Sequence, residues 1–119
     1  MNNDLPLARD VDPHKAVDYM IENAKKFAQA KAERTYLEEY RKSLKAMLMK
    51  EAMTKGNDSV SSQEREAYAH EDYKTHLLAL KESVFLEEKL KWELTGAQTR
   101  VEIWRTQQAN NRAEGRATL

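Results

Sequence analysis

KGNDSVSS, residues 55–62, is the short polar stretch on which the reading of this chain turns. Gly56 and Asn57 are residue types that can take the left-handed backbone conformation that closes a helix, so Lys55 to Asp58 predict a stop. Ser61, with Glu64 three residues later, has the spacing of a capping box, in which each side chain satisfies the other residue's free backbone N–H. A second helix is therefore expected to begin at Ser61.

Working outward, Pro13 and Ser61 each open at least forty residues without a further proline. Asp12 is the expected N-cap of the first helix, and Pro13 fits its first position, where the missing N–H has no intrahelical acceptor to lose. Val17, Met20, Ala24, Phe27 and Ala28 form one apolar stripe, and Leu37, Tyr40, Leu44, Met47 and Leu48 a second. The alanine-rich stretch at Ala28, Ala30 and Ala32 shifts the phase between them, which argues against a strict heptad. On the second helix, Ala69, Tyr73, Leu77, Leu80, Val84, Leu94, Val101 and Trp104 form one face. Leu78, Phe85, Leu86, Leu90 and Trp92 extend apolar character around much of the rest, an arc wider than one partner helix covers.

The fold class expected is all-α: a long antiparallel helical hairpin of two helices, assembling into an oligomeric bundle. Residues 1–12 read as a flexible arm, 13–112 as the hairpin with its turn near 55–61, and 113–119 as a flexible tail. A short connection favours antiparallel neighbours, placing side by side residues whose numbers sum to roughly 116. Leu80 is then expected near Tyr36 or Leu37, and Tyr73 near Leu44.

Charge supports that register. Residues 25–55 hold nine Lys or Arg and four Glu, while residues 56–99 hold five basic and nine acidic groups. The ends match too: residues 1–24 carry two basic and five acidic groups, residues 100–119 four Arg and two Glu. Exposed pairs contribute roughly 0.2–1 kcal/mol each, so they select orientation more than they stabilise. Glu22 with Lys26, Glu38 with Lys42, Glu51 with Lys55 and Glu87 with Lys91 have the spacing for local support.

Over the whole chain, 20 basic residues balance 20 acidic ones, so no global field directs it to nucleic acid or an anionic membrane. Hydrophobic residues make up 40% of 119 and charged residues 34%, a lean core for this length, which assigns part of the apolar surface to an interface. The absence of cysteine excludes disulfides and thiolate chemistry and is compatible with a reducing compartment. MNNDLPLARDVD has acidic residues and no apolar run, unlike a secretory signal, and no window approaches the ~18 apolar residues of a membrane span. A soluble protein without a membrane partner is expected.

No catalytic residues are assigned. G-x-S-x-G, a Walker loop, G-x-G-x-x-G and H-E-x-x-H are all missing. Glu66 with His70 and Asp72 with His76 have i,i+4 spacing, but the paired Glu-x-x-His signature of di-iron bundles is not there, so neither a metal nor a cofactor is expected. Glu87 and Glu88 read as a charged rim rather than an acid/base pair. Arg34, Arg41, Lys42 and Lys45 interleave with Tyr36 and Tyr40, a mixture that can neutralise phosphate and stack on unpaired bases, and they are the candidate contacts for single-stranded DNA. The acidic second helix weighs against that use. Trp92, lying off the main stripe, marks a second interface, and Trp104 with Arg105 are the other candidate partner contacts. Gly96, inside a helix, suggests close backbone approach or a bend.

The blocks AERTYLEEYRKSLKAMLM, SSQEREAYAHEDY and LEEKLKWELTGAQTRVEIWRTQQANNRAEGR span roughly residues 31–116. Together they resemble a group of small helical proteins of tailed bacteriophages, and VEIWRTQQA at Val101 to Ala109 is their least generic piece. Such proteins are encoded near genes for annealing proteins, single-strand binding proteins and exonucleases. The resemblance implies a non-catalytic accessory to DNA recombination or replication in the host cytoplasm, acting through a phage or host protein. An adaptor or inhibitor with no nucleic-acid role is the alternative, and a virion structural or assembly role the third.

Overall fold

The computed structural model describes residues 12–117. Among them the protein is all-helical, with α1 at Pro13–Thr54, α2 at Val60–Ala69 and α3 at Glu71–Ala117. The arm expected at 1–12 lies outside the described residues except for Asp12. Its Oδ1 accepts from the N–H groups of His14 and Lys15 at 3.0 and 3.2 Å, so Asp12 caps α1 as its position implied.

α1 stops where the glycine stands. Gly56 has φ +106, and its N–H donates to the Met53 carbonyl while the Asn57 N–H donates to that of Ala52. These two bonds are the pair of a Schellman closure, and they occupy carbonyls that the last turn would otherwise leave open.

The next start differs from the expected one. Ser59, not Ser61, is the N-cap of α2: its hydroxyl accepts from the Ser62 N–H at 3.1 Å. Ser61 already lies within α2 and so cannot cap it, and Glu64 receives Lys45 from α1 at 3.4 Å. Ser62 occupies the position that the box reserves for Glu, and its hydroxyl donates to the Ser59 carbonyl.

The expected single second helix is also interrupted. His70 leaves the helical conformation at ψ 139, ending α2, and its Nδ1 accepts from the Asp72 N–H at 3.0 Å to begin α3. Glu71 and Asp72 follow in the first turn of α3, where carboxylates favour the positive end of the helix dipole. The break has a packing consequence. Six residues separate Ala67 from Tyr73, which on an unbroken helix would place them about 120° apart. Here both enter one cluster with Leu44 and Leu48. α3 then runs to Ala117, past the boundary expected at 112, and continues through Gly96.

Tertiary contacts divide the chain into one unit of Met1–Phe27 with Lys89–Leu119 and another of Ala28–Glu88, with α1 and α3 contributing to both. In the first unit the Tyr19 hydroxyl donates to Glu93 at 2.5 Å, and the Asn23 amide donates back to the Tyr19 carbonyl at 2.8 Å. In the second unit Lys45 meets Glu64, the Leu37 carbonyl meets His76, and Arg34 meets Glu87, so partners rise in number as α1 is followed backwards.

The withdrawn positions correct the sequence reading. On α3 they recur at Tyr73, His76, Leu80, Ser83, Glu87, Leu90, Leu94, Ala97, Val101, Trp104 and Gln108, in steps of three and four throughout. α1 repeats the pattern at Ala16, Met20, Asn23, Phe27, Ala30, Arg34 and Leu37, then Leu44 and Leu48. This is heptad spacing after all. It escapes an apolar search because Asn23, Arg34, His76, Ser83 and Glu87 occupy seam positions, while Val17, Tyr40, Met47, Leu77 and Val84, expected there, are exposed. The side chains wholly withdrawn from water among the described residues are alanines, Ala16, Ala67 and Ala97.

Candidate interaction surface

The seam of the second unit is built around charge. Arg34 forms a bidentate pair with Glu87: its Nε donates to one carboxylate oxygen and its Nη2 to the other at 3.3 Å. Its Nη1 donates to Glu38 at 2.8 Å. Glu87 retains only 12% of its side-chain exposure, so the arginine replaces water as the partner of its carboxylate. Glu87 and then Glu38 hold the guanidinium above its ordinary pKa. The pairs expected between Glu87 and Lys91 and between Glu38 and Lys42 are thus displaced by Arg34, and Lys42 turns to Glu39 instead.

The histidines are engaged as well. His76 is buried, with Nε2 2.6 Å from the Leu37 carbonyl oxygen and its ring against Tyr40. His70 Nδ1 caps α3, and its Nε2 lies 3.8 Å from Glu51. No group of three or more His, Asp or Glu among the described residues is arranged to hold a metal ion.

Of the four cations proposed for DNA, Arg34 is committed to Glu87 and Glu38 and Lys42 to Glu39. Lys45 lies between Glu64 and the Tyr68 ring, whose centroid is 4.9 Å from Nζ. Its ammonium is held above the usual lysine value first by the Tyr68 side chain and then by Glu64, against the opposing effect of burial. Arg41 stands exposed beside Tyr36 and Tyr40, which stack at 5.9 Å. Three of the four are thus held by carboxylates, which leaves a smaller positive patch than four uncommitted cations in a row would make.

The partner candidates separate. Trp92 is exposed on α3 with Lys91 5.8 Å from its ring, Arg105 is exposed, and Trp104 is half-buried on the seam. Leu78 and Phe85 belong to the wide apolar arc that the sequence assigns to an interface. Leu78 lies two residues from both His76 and Leu80, and Phe85 two from both Ser83 and Glu87. Two residues turn a helix through roughly 200°, so both side chains lie opposite the seam. They are 63% and 65% exposed, flanked by Leu77, Val84 and Leu86. Of that arc, Leu90 is buried, while Leu78, Phe85, Leu86 and Trp92 are exposed.

Two open grooves accompany these features in the first unit. One of about 610 Å³ mixes Lys15, Lys26 and Lys89 with Asp18, Glu22 and Glu93. A second, about 340 Å³, is lined by Met20, Ala24, Phe27 and Leu94 with Lys91, Thr95 and Gln98. No helix among the described residues is long and apolar enough to cross a membrane. No family model, curated protein or solved structure matches the chain.

Proposed function

We propose that this protein is a non-catalytic helical adaptor, an antiparallel hairpin that works by binding other polypeptides and itself in an assembly. Its seam mixes ion-paired and hydrogen-bonded side chains with apolar ones, and further large apolar side chains lie outside it. The observation that carries this reading is the exposure of Leu78 and Phe85 on the face of α3 turned away from the seam. Contiguous apolar surface of that kind on a soluble chain marks a contact site. In keeping with the phage resemblance, the assembly we assign it to is one that handles DNA during recombination or replication in the host cytoplasm, reached through protein contact.

Pull-down from phage-infected cells with wild type and with Phe85→Glu tests this. A polypeptide retained by wild type and lost from the variant is expected; identical capture by both sinks the reading. The exposed Tyr36 and Tyr40 stack beside Arg41 favours a second reading, weak contact with single-stranded DNA. Fluorescence anisotropy with labelled DNA at 50 and 200 mM salt decides it, since phosphate contact makes affinity fall steeply with salt. Absence of binding at the lower salt removes it.

A further inference from the structure

We infer that His70 is a pH-sensitive joint: protonating its imidazole releases the cap that starts α3 and loosens the break between α2 and α3. The inference stands apart from the adaptor reading, because it concerns how the second unit holds its own backbone.

A backbone N–H can only donate, so the 3.0 Å contact between the Asp72 N–H and His70 Nδ1 fixes the ring as the neutral tautomer with its proton on Nε2. Histidine is the side chain that ordinarily changes charge between about pH 5 and 8. A proton added to Nδ1 turns its lone pair into a donor facing a donor, and the cap cannot survive that. Acceptors for the charged ring stand at both of its nitrogens. The Glu51 carboxylate of α1 lies 3.8 Å from Nε2, and the Asp72 side chain lies 3.9 Å from Nδ1. Asp72 thus supplies the donor that the neutral ring accepts and the carboxylate that attracts the charged one. Glu66 of α2 and Lys55 line a cavity of about 60 Å³ with His70, and Lys55 holds Glu51 at 2.8 Å. Arg65 lies 3.9 Å from Glu66, and on α3 Glu71 is paired with Lys74 at 3.4 Å. Carboxylates from all three helices therefore address the ring, so a charged imidazole is retained there and the loss falls on the backbone of α3.

That loss has a packing consequence, because the cap fixes the direction in which α3 leaves α2. Across the break the Tyr68 and Tyr73 rings meet edge-on at 5.2 Å, and Tyr73 enters the cluster of Leu44, Leu48 and Ala67. Without the cap the Asp72 N–H loses its acceptor, and Tyr73 loses the backbone geometry that sets it against Tyr68. The joint is complete while the ring is neutral and opens as pH falls through the ring's titration.

Nuclear magnetic resonance of the full chain tests this. Ring nitrogen shifts at about pH 8 are expected to show the His70 proton on Nε2. As the pH is lowered to about 5, the Asp72 backbone amide resonance is expected to move with the same midpoint as the His70 ring, and the Overhauser contact between Tyr68 and Tyr73 to be lost. His70→Asn supplies a capping oxygen that does not titrate and retains every acid around the joint. Its Asp72 amide and its tyrosine contact are expected to stay constant over the same range. A His70 proton on Nδ1, an Asp72 amide that does not follow the ring, or the same pH response in His70→Asn overturns the inference. Should His70→Asn fail to fold, the tautomer and the shared midpoint in the wild-type chain decide it alone.

Discussion

Single side chains in the seam separate by what they leave behind when removed. Leu48 is buried beside Leu44, Ala67 and Tyr73, so Leu48→Ala is expected to cost about 2–4 kcal/mol in denaturant unfolding. Ser83 points the other way. Its buried hydroxyl has no hydrogen-bond partner, so Ser83→Ala is expected to be neutral or to stabilise by about 1 kcal/mol; a loss of that size would show that the hydroxyl is satisfied. Glu87→Gln should lower the thermal midpoint, because it weakens a bidentate pairing and leaves the Arg34 guanidinium partly uncompensated. At the turn, Gly56→Ala meets no side chain within 4 Å, and its cost, about 1–2 kcal/mol, comes from the left-handed backbone alone. Glu51 sets a pH dependence. The Lys55 hydrogen bond, then its charge and that of His70, hold the carboxyl below its ordinary value of 4.5, while burial opposes them. The stabilisation is therefore complete above that pH and is lost as pH falls through the lowered value. Glu51→Gln should flatten the acid limb of the midpoint-versus-pH curve, by a small amount because both partners are exposed.

Helix boundaries carry their own test, because two serines compete for one role. Ser59→Ala is expected to cost about 1 kcal/mol and Ser61→Ala less than about 0.5; the reverse order would restore the capping box at Ser61. The start of α1, its stop and its length were legible in the sequence, since proline, aspartate and glycine act through local backbone chemistry. The break at His70 was not, because histidine is no usual cap and the two acids after it looked like an ordinary charged face. The seam was half legible. Leu44, Leu48, Tyr73 and Leu94 announce themselves by being apolar. His76 and Glu87 are withdrawn only because Leu37 and Arg34 receive them, and such pairings are tertiary facts that no periodicity of apolar residues contains. The same blind spot moved Leu77 and Val84 to the wrong face and made four α1 cations look available, three of which have carboxylate partners.

For the molecule as a whole, the equal numbers of acidic and basic residues mean that no net field steers encounters, so association must come from local patches. Self-assembly would make the thermal midpoint rise with protein concentration. A hundredfold dilution that leaves the midpoint unchanged argues for an isolated chain. Among the described residues only three alanines are withdrawn from water completely, and so shallow an interior bears on how the chain opens. With no large side chain fully buried among the described residues, local opening is expected to be frequent, so limited proteolysis should cut the isolated chain readily. A binding partner that covers the opened segments would slow that cleavage, so protection from protease would report its arrival.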